Sequence, residues 1–98
     1  MKIGIQGAIG SFSEEASKKF IENHGIKNPK IKYLISSEDV LNNVENRKVD
    51  YGIFAMENAQ GGVVIESVEA LALHKCKIIE MFHIPISPTL LIIRLLLQ

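Results

Sequence analysis

The stretch "DYGIFAMENAQGG", residues 50–62, decides how this chain is read. After Asp50 it is apolar nearly throughout, the pattern of a strand covered on both faces, and residues 49–56 are accordingly assigned to one. The run then stops in a carboxylate, an amide and a pair of glycines. An acid and an amide delivered straight from a buried strand to the lip of a turn suit a ligand-binding loop, because loops held by a rigid scaffold carry much of protein function. The plainer alternative is that Glu57 accepts backbone hydrogen bonds and braces the turn.

Upstream, "KIGIQ" (2–6) alternates Ile3 and Ile5 and runs into glycine, as a strand does. "GAIGSFSEEASKKFIENHG" (7–25) reads as a turn and a helix. Ser11 and Glu14 have capping-box spacing, and Ala16 and Phe20 share a face. Gly25 supplies the C-terminal stop. "KIKYLI" (30–35) is a second strand, and "SSEDVLNNVENRK" (36–48) a short helix capped by Ser36 or Ser37, with Val40, Leu41 and Val44 inward. Downstream of the glycines, a third helix is expected over 63–74. Its Val64, Val68, Leu71 and Ala72 fall at i, i+4, i+7 and i+8. "KIIEMFHIPI" (77–86) closes the series as a fourth strand. Strands alternating with helices predict an α/β three-layer sandwich with a mostly parallel sheet.

The chain's 98 residues allow one domain, and its 47% hydrophobic content is enough for a packed core. Eleven basic residues balance eleven acidic ones, leaving no electrostatic footprint for nucleic acid or a membrane surface. The single cysteine, Cys76, excludes an internal disulfide and fits a reducing cytoplasm. "MKIGIQG" lacks the apolar region of a signal peptide, and the apolar tail "IPISPTLLIIRLLL" is too short and too interrupted to span a bilayer. The reading is therefore a cytoplasmic protein.

In open parallel sheets, ligands sit beyond the carboxyl ends of the strands. Two junctions there have the composition of an anion site. "GAIGSFS" (7–13) offers glycines, the hydroxyls of Ser11 and Ser13, and N–H groups at a helix start. "ENAQGG" (57–62) adds an ionisable acid and an amide. Neither matches a Walker A loop or a dinucleotide fingerprint. His24 and His74 read as cations at helix C-termini, and His83 as a half-buried strand residue. No cluster has the spacing of a metal site or a catalytic triad.

Taken in order, "GAIGSFSEEAS", "VDYGIFAMENAQGG" and "KIIEMFHIPISPTLLI" resemble the start of prephenate dehydratases, whose patterns run roughly GPxGTFSxxA, DYGVVPIENSxxG and GE…PI…LL. The resemblance spans nearly the whole chain. It implies one lobe of a periplasmic-binding-protein-like catalytic domain. The family converts prephenate to phenylpyruvate, water and carbon dioxide in L-phenylalanine biosynthesis, without cofactor or metal. By the same resemblance, Glu57 and Asn58 are the catalytic candidates, while Gly10, Ser11, Phe12, Ser13 and Gly62 are the substrate-binding ones. Gly7 helps to shape the first loop.

Ala8, Ala55 and Ala59 replace two prolines and a serine of the family pattern, and the Thr-Arg-Phe motif of the second lobe is not among these residues. Residues 1–98 are thus expected to form a single lobe, with 85–98 a hinge or edge-strand tail and its apolar surface a candidate homodimer contact. The implied partner is the small dicarboxylate prephenate. The alternative is a non-catalytic lobe that binds a small carboxylate or an aromatic amino acid.

Overall fold

Ile3 and Ile5 are fully buried and anchor β1 (Lys2–Gln6), the strand around which the sheet is assembled. The structure is a computed structural model that describes residues 1–57, 62–84 and 87–95. β1 pairs in parallel with β2 (Lys30–Leu34) and with β3 (Tyr51–Ala55). β4 (Cys76–Ile84) and β5 (Ser87–Leu95) complete the order β2-β1-β3-β5-β4. β5 runs antiparallel to both its neighbours, so the other four strands point the same way. The mostly parallel α/β sheet expected from the sequence is present.

The placement of the tail differs from expectation. Residues 87–95 form an interior strand between β3 and β4, and β4 takes the edge. An antiparallel return needs only a short turn, so this apolar run folds back and pairs on both sides instead of leaving the sheet. The ladder steps irregularly at the turn: His83 faces Thr89 and Ile84 faces Ser87. Pro88 falls in the skipped register, where its missing N–H costs no ladder bond.

α1 (Phe12–His24) covers one face of the sheet, and α2 (Ser37–Glu45) lies on the other with α3 (Ile65–Leu73). Consecutive residues of β3 divide between the two sides. Ile53 joins Ile3, Ile5, Ala16 and Phe20 under α1, whereas Phe54 joins Val40, Leu41, Val44, Val49 and Ala70 under α2 and α3. Ser11 caps α1 by accepting the Glu14 N–H (3.2 Å), and Ser36 caps α2 by accepting the Asp39 N–H (3.1 Å). Gly25 ends α1 in the left-handed conformation at φ 58°.

The inward face of α3 is rotated from the expected stripe. Ser67 and Ala70 are buried and Leu71 packs against the core, while Val68 and Ala72 are exposed. Small side chains let α3 approach α2 closely, and Ser67 turns inward because it has hydrogen-bond partners there.

His74, expected as a simple helix-terminal cation, instead ties two elements together. Its Nδ1 lies 2.9 Å from Glu45 Oε2 and its Nε2 lies 2.9 Å from Glu38 Oε1, both on α2. Carboxylates only accept, so both ring nitrogens donate and the ring is an imidazolium. Burial pulls its pKa down, but the bonds and charges of Glu38 and Glu45 outweigh burial and leave it above the ordinary value. The Lys75 N–H and His74 together hold Glu45 below the usual carboxylate range.

The stability His74 contributes is therefore complete below the unfolded value of about 6.5 and is lost as pH rises through the raised folded value. The Glu45 contribution has the opposite sign and fades in acid. Comparing melting temperatures of the unaltered chain and His74→Gln should give a gap that is widest near pH ~5.5 and narrows by pH ~8. A gap independent of pH would contradict the charged clamp. Close by, burial and then Glu45 push the Cys76 thiol up to about 11, so it stays protonated and unreactive at neutral pH.

Candidate functional site

The chain reverses its winding between β1 and β3. From β1 it passes through α1 to β2, then returns beneath the opposite face through α2 to β3 on the far side of β1. The helices that follow β1 and β3 thus cover opposite faces, and the loops leading into them flank a topological switch point. Gln6 closes the strand ends at this point: its Oε1 accepts the Ala55 N–H at 3.1 Å. The strand ends from which the two junctions depart therefore lie side by side.

The first junction is built around Gly7 and Ser11. Gly7 has φ 138°, and a β-carbon on it would stand 2.6 Å from Ser11 Oγ. Gly10 also has a positive φ, 89°. Gly7→Ala should cost about 1–3 kcal/mol in urea unfolding, by combining a disfavoured backbone with displacement of the helix cap. A loss within error would show that the loop relaxes without strain.

Glu14 organises this loop in a way the sequence only half discloses. The expected capping box is offset by one residue: Glu14 Oε1 accepts the Gly10 N–H at 3.0 Å, while Oε2 accepts the Tyr33 hydroxyl. Those two bonds, Tyr33 first, hold this nearly buried carboxyl below its usual range, and the same contact raises the Tyr33 pKa. Gly10 N–H is therefore committed to Glu14. The N–H groups of Phe12 and Ser13 occupy the first turn, where no intrahelical acceptor exists. Ser11 Oγ accepts from Glu14 N–H and retains its own proton to donate. Ser13 is buried, whereas Phe12 is exposed.

At the second junction, Glu57 is half-buried and bridges Val63 in antiparallel fashion, and the Val64 N–H donates to the Met56 carbonyl at 2.8 Å. The turn that follows β3 is thus closed at its neck. Gly62 is exposed beside it; Asn58 lies outside the described residues. Gln6, Tyr33 and Ser67 were not singled out in the sequence, and Ser37 was named only as a candidate helix cap. Only the position of Gln6 at the end of β1 offered a signal.

Apolar residues accompany the polar loops. Ile9, in the first junction, is 84% exposed, and Ile35, just past β2, is 91% exposed. Val63 is exposed at the neck of the Glu57 turn. Donors for an anion, an acid and apolar surface at one end of the sheet suit a small ligand with an anionic group and an apolar part. Among the described residues, no group of three or more His, Cys, Asp or Glu could hold a metal ion, and no helix is long and apolar enough to cross a membrane.

Fold and strand-end loops together define an α/β lobe of the kind that meets a small ligand at a switch point. The sequence profile of the prephenate dehydratase family matches residues 3–95, and the chain belongs to that family. Among solved structures, it is similar to the X-ray structure of prephenate dehydratase from Streptococcus mutans. The TM-score is 0.79 at 20% sequence identity, with 96% of this chain and 49% of that one covered. The chain thus spans about half the length of the solved relative. A comparison with curated proteins gives no significant match.

Proposed function

We propose that this lobe supplies one wall of a prephenate site, and that the site promotes conversion of prephenate to phenylpyruvate, water and carbon dioxide. Family membership supports the substrate, and the Gln6–Ala55 bond supports the geometric part of the reading because it links the ends of β1 and β3, from which the two candidate loops depart. The Ser11 hydroxyl and the first-turn N–H groups of α1 would receive a carboxylate. Glu57, with Asn58, would stand at the departing ring hydroxyl, where a proton or hydrogen bond assists loss of water as carbon dioxide leaves. Phe12 and Gly62 would border the ring and the second loop. The chemistry calls on no cofactor.

A second reading draws on the same strand-end donors, the Ser11 hydroxyl and the first-turn N–H groups of α1. On that reading the lobe binds a small carboxylate or an aromatic amino acid without turning it over. Phenylpyruvate formed from prephenate at neutral pH, where the acid-driven background is slow, tests the first reading directly. Turnover above background supports a catalytic site. Stoichiometric calorimetric binding of prephenate or phenylalanine without product supports the second. Neither turnover nor binding removes both.

A further inference from the structure

The strand end that launches Glu57 is held by more than its sheet partners. The Ala55 N–H is accepted by Gln6 Oε1, and the Ala55 carbonyl accepts the Ser67 hydroxyl at 2.6 Å. Ser67 Oγ also lies 2.5 Å from Ser37 Oγ. Ser67 spends its single proton on Ala55, so Ser37 must donate to Ser67. The chain Ser37 to Ser67 to Ala55 thus runs in one direction, from the start of α2 through α3 to the end of β3. Both serines are fully buried.

From Ala55 to Glu57 only roughly four soft dihedrals intervene. The next peptide is fixed as well, because the Met56 carbonyl accepts the Val64 N–H. Ser67 lies three residues beyond Val64, on the first turn of α3, so a single hydroxyl ties the start of this loop to the helix at its end. We infer that Ser67, assisted by Gln6 on the preceding peptide, is a positioning residue for Glu57: through the Ala55 carbonyl it sets where the carboxylate stands beside the first loop. This rests on the reading of Glu57 as a ligand-facing acid.

The test must separate aim from stability. Ser67→Ala strands the Ser37 hydroxyl in the core, so it destabilises whatever else it does. Ser37→Ala/Ser67→Ala removes both groups together and should regain much of that lost stability, because two apolar groups then face each other. Prephenate affinity, measured by calorimetry on the full folded chain, should fall roughly tenfold in Ser67→Ala and stay low in the double variant. Ser67→Thr, which keeps the hydroxyl, should restore it. In the same samples, amide exchange at Val64 should accelerate relative to the core amides of β1 and β3 in both alanine variants. Gln6→Met removes the acceptor of the Ala55 N–H, on the preceding peptide, and should shift Val64 exchange in the same direction.

Recovery of affinity together with stability in the double variant would overturn the inference and leave the serine pair a packing device. Unchanged exchange in Ser67→Ala and in Gln6→Met would also overturn it. Should the unaltered chain fail to bind prephenate, the reading of the site falls, and Val64 exchange alone decides whether Ser67 aims the loop.

Discussion

On the proposed catalytic reading, Glu57→Ala is expected to lower prephenate turnover by at least about a hundredfold, the scale of a lost acid–base group, while shifting stability by less than about 0.5 kcal/mol. The two effects separate because of how Glu57 is placed. Its backbone bridges Val63, and its neighbour Met56 accepts the Val64 N–H, so the neck of the turn is closed by main-chain groups that survive truncation of the side chain. Glu57 as a whole is half-buried just past the carboxyl end of β3 and belongs to neither core cluster. Steady-state assay and urea unfolding of one protein batch check both halves. A variant that unfolds would show Glu57 to be a brace for the turn. A stable variant with unchanged turnover would remove Glu57 from the chemistry.

Phe54→Ala is expected to have the largest effect on stability, about 3–5 kcal/mol. Phe54 is fully buried in the cluster that joins β3 to α2 and α3, and it is among the largest side chains buried there. A domain of this size has about 5–15 kcal/mol in total, so the variant should stand close to unfolding at room temperature. The urea midpoint should fall with little change in slope, since the same surface is exposed on unfolding. A loss under about 1 kcal/mol would mean that Val40, Leu41 and Val44 collapse into the space, which a close-packed interior rarely permits.

Local signals in the sequence correspond to the local parts of the fold. Ser11, Gly25 and the Ala16–Phe20 spacing place α1, and alternating isoleucines place β1, because caps and periodicity depend on residues within a few positions. The fate of residues 87–95 was not legible in this way. An apolar run declares that it will be covered, but which strands cover it depends on pairings such as Gly52 with Ile93, some forty residues apart. The rotation of α3 has a similar origin. Hydrophobic spacing favoured Val68 and Ala72, whereas the partners that turn Ser67 inward are Ser37 and the Ala55 carbonyl, which no window around α3 contains. Within the candidate site, Glu57, Ser11 and the glycines could be named from composition at strand ends. Tyr33 could not be, since its bond to Glu14 exists only after β2 has paired beside β1.

The interior position of β5 bears on how the chain is made. On a ribosome, β1, β2 and β3 emerge first and can pair among themselves, since their ladders need nothing beyond residue 55. β4 emerges next but, among the described residues, pairs with β5 alone. Until the last residues of β5 leave the exit tunnel, the nascent sheet has an open slot beside β3 and a detached strand waiting across from it. Interruption of synthesis between residues 76 and 95 would leave two unpaired strand edges, the form in which a nascent polypeptide most needs a chaperone.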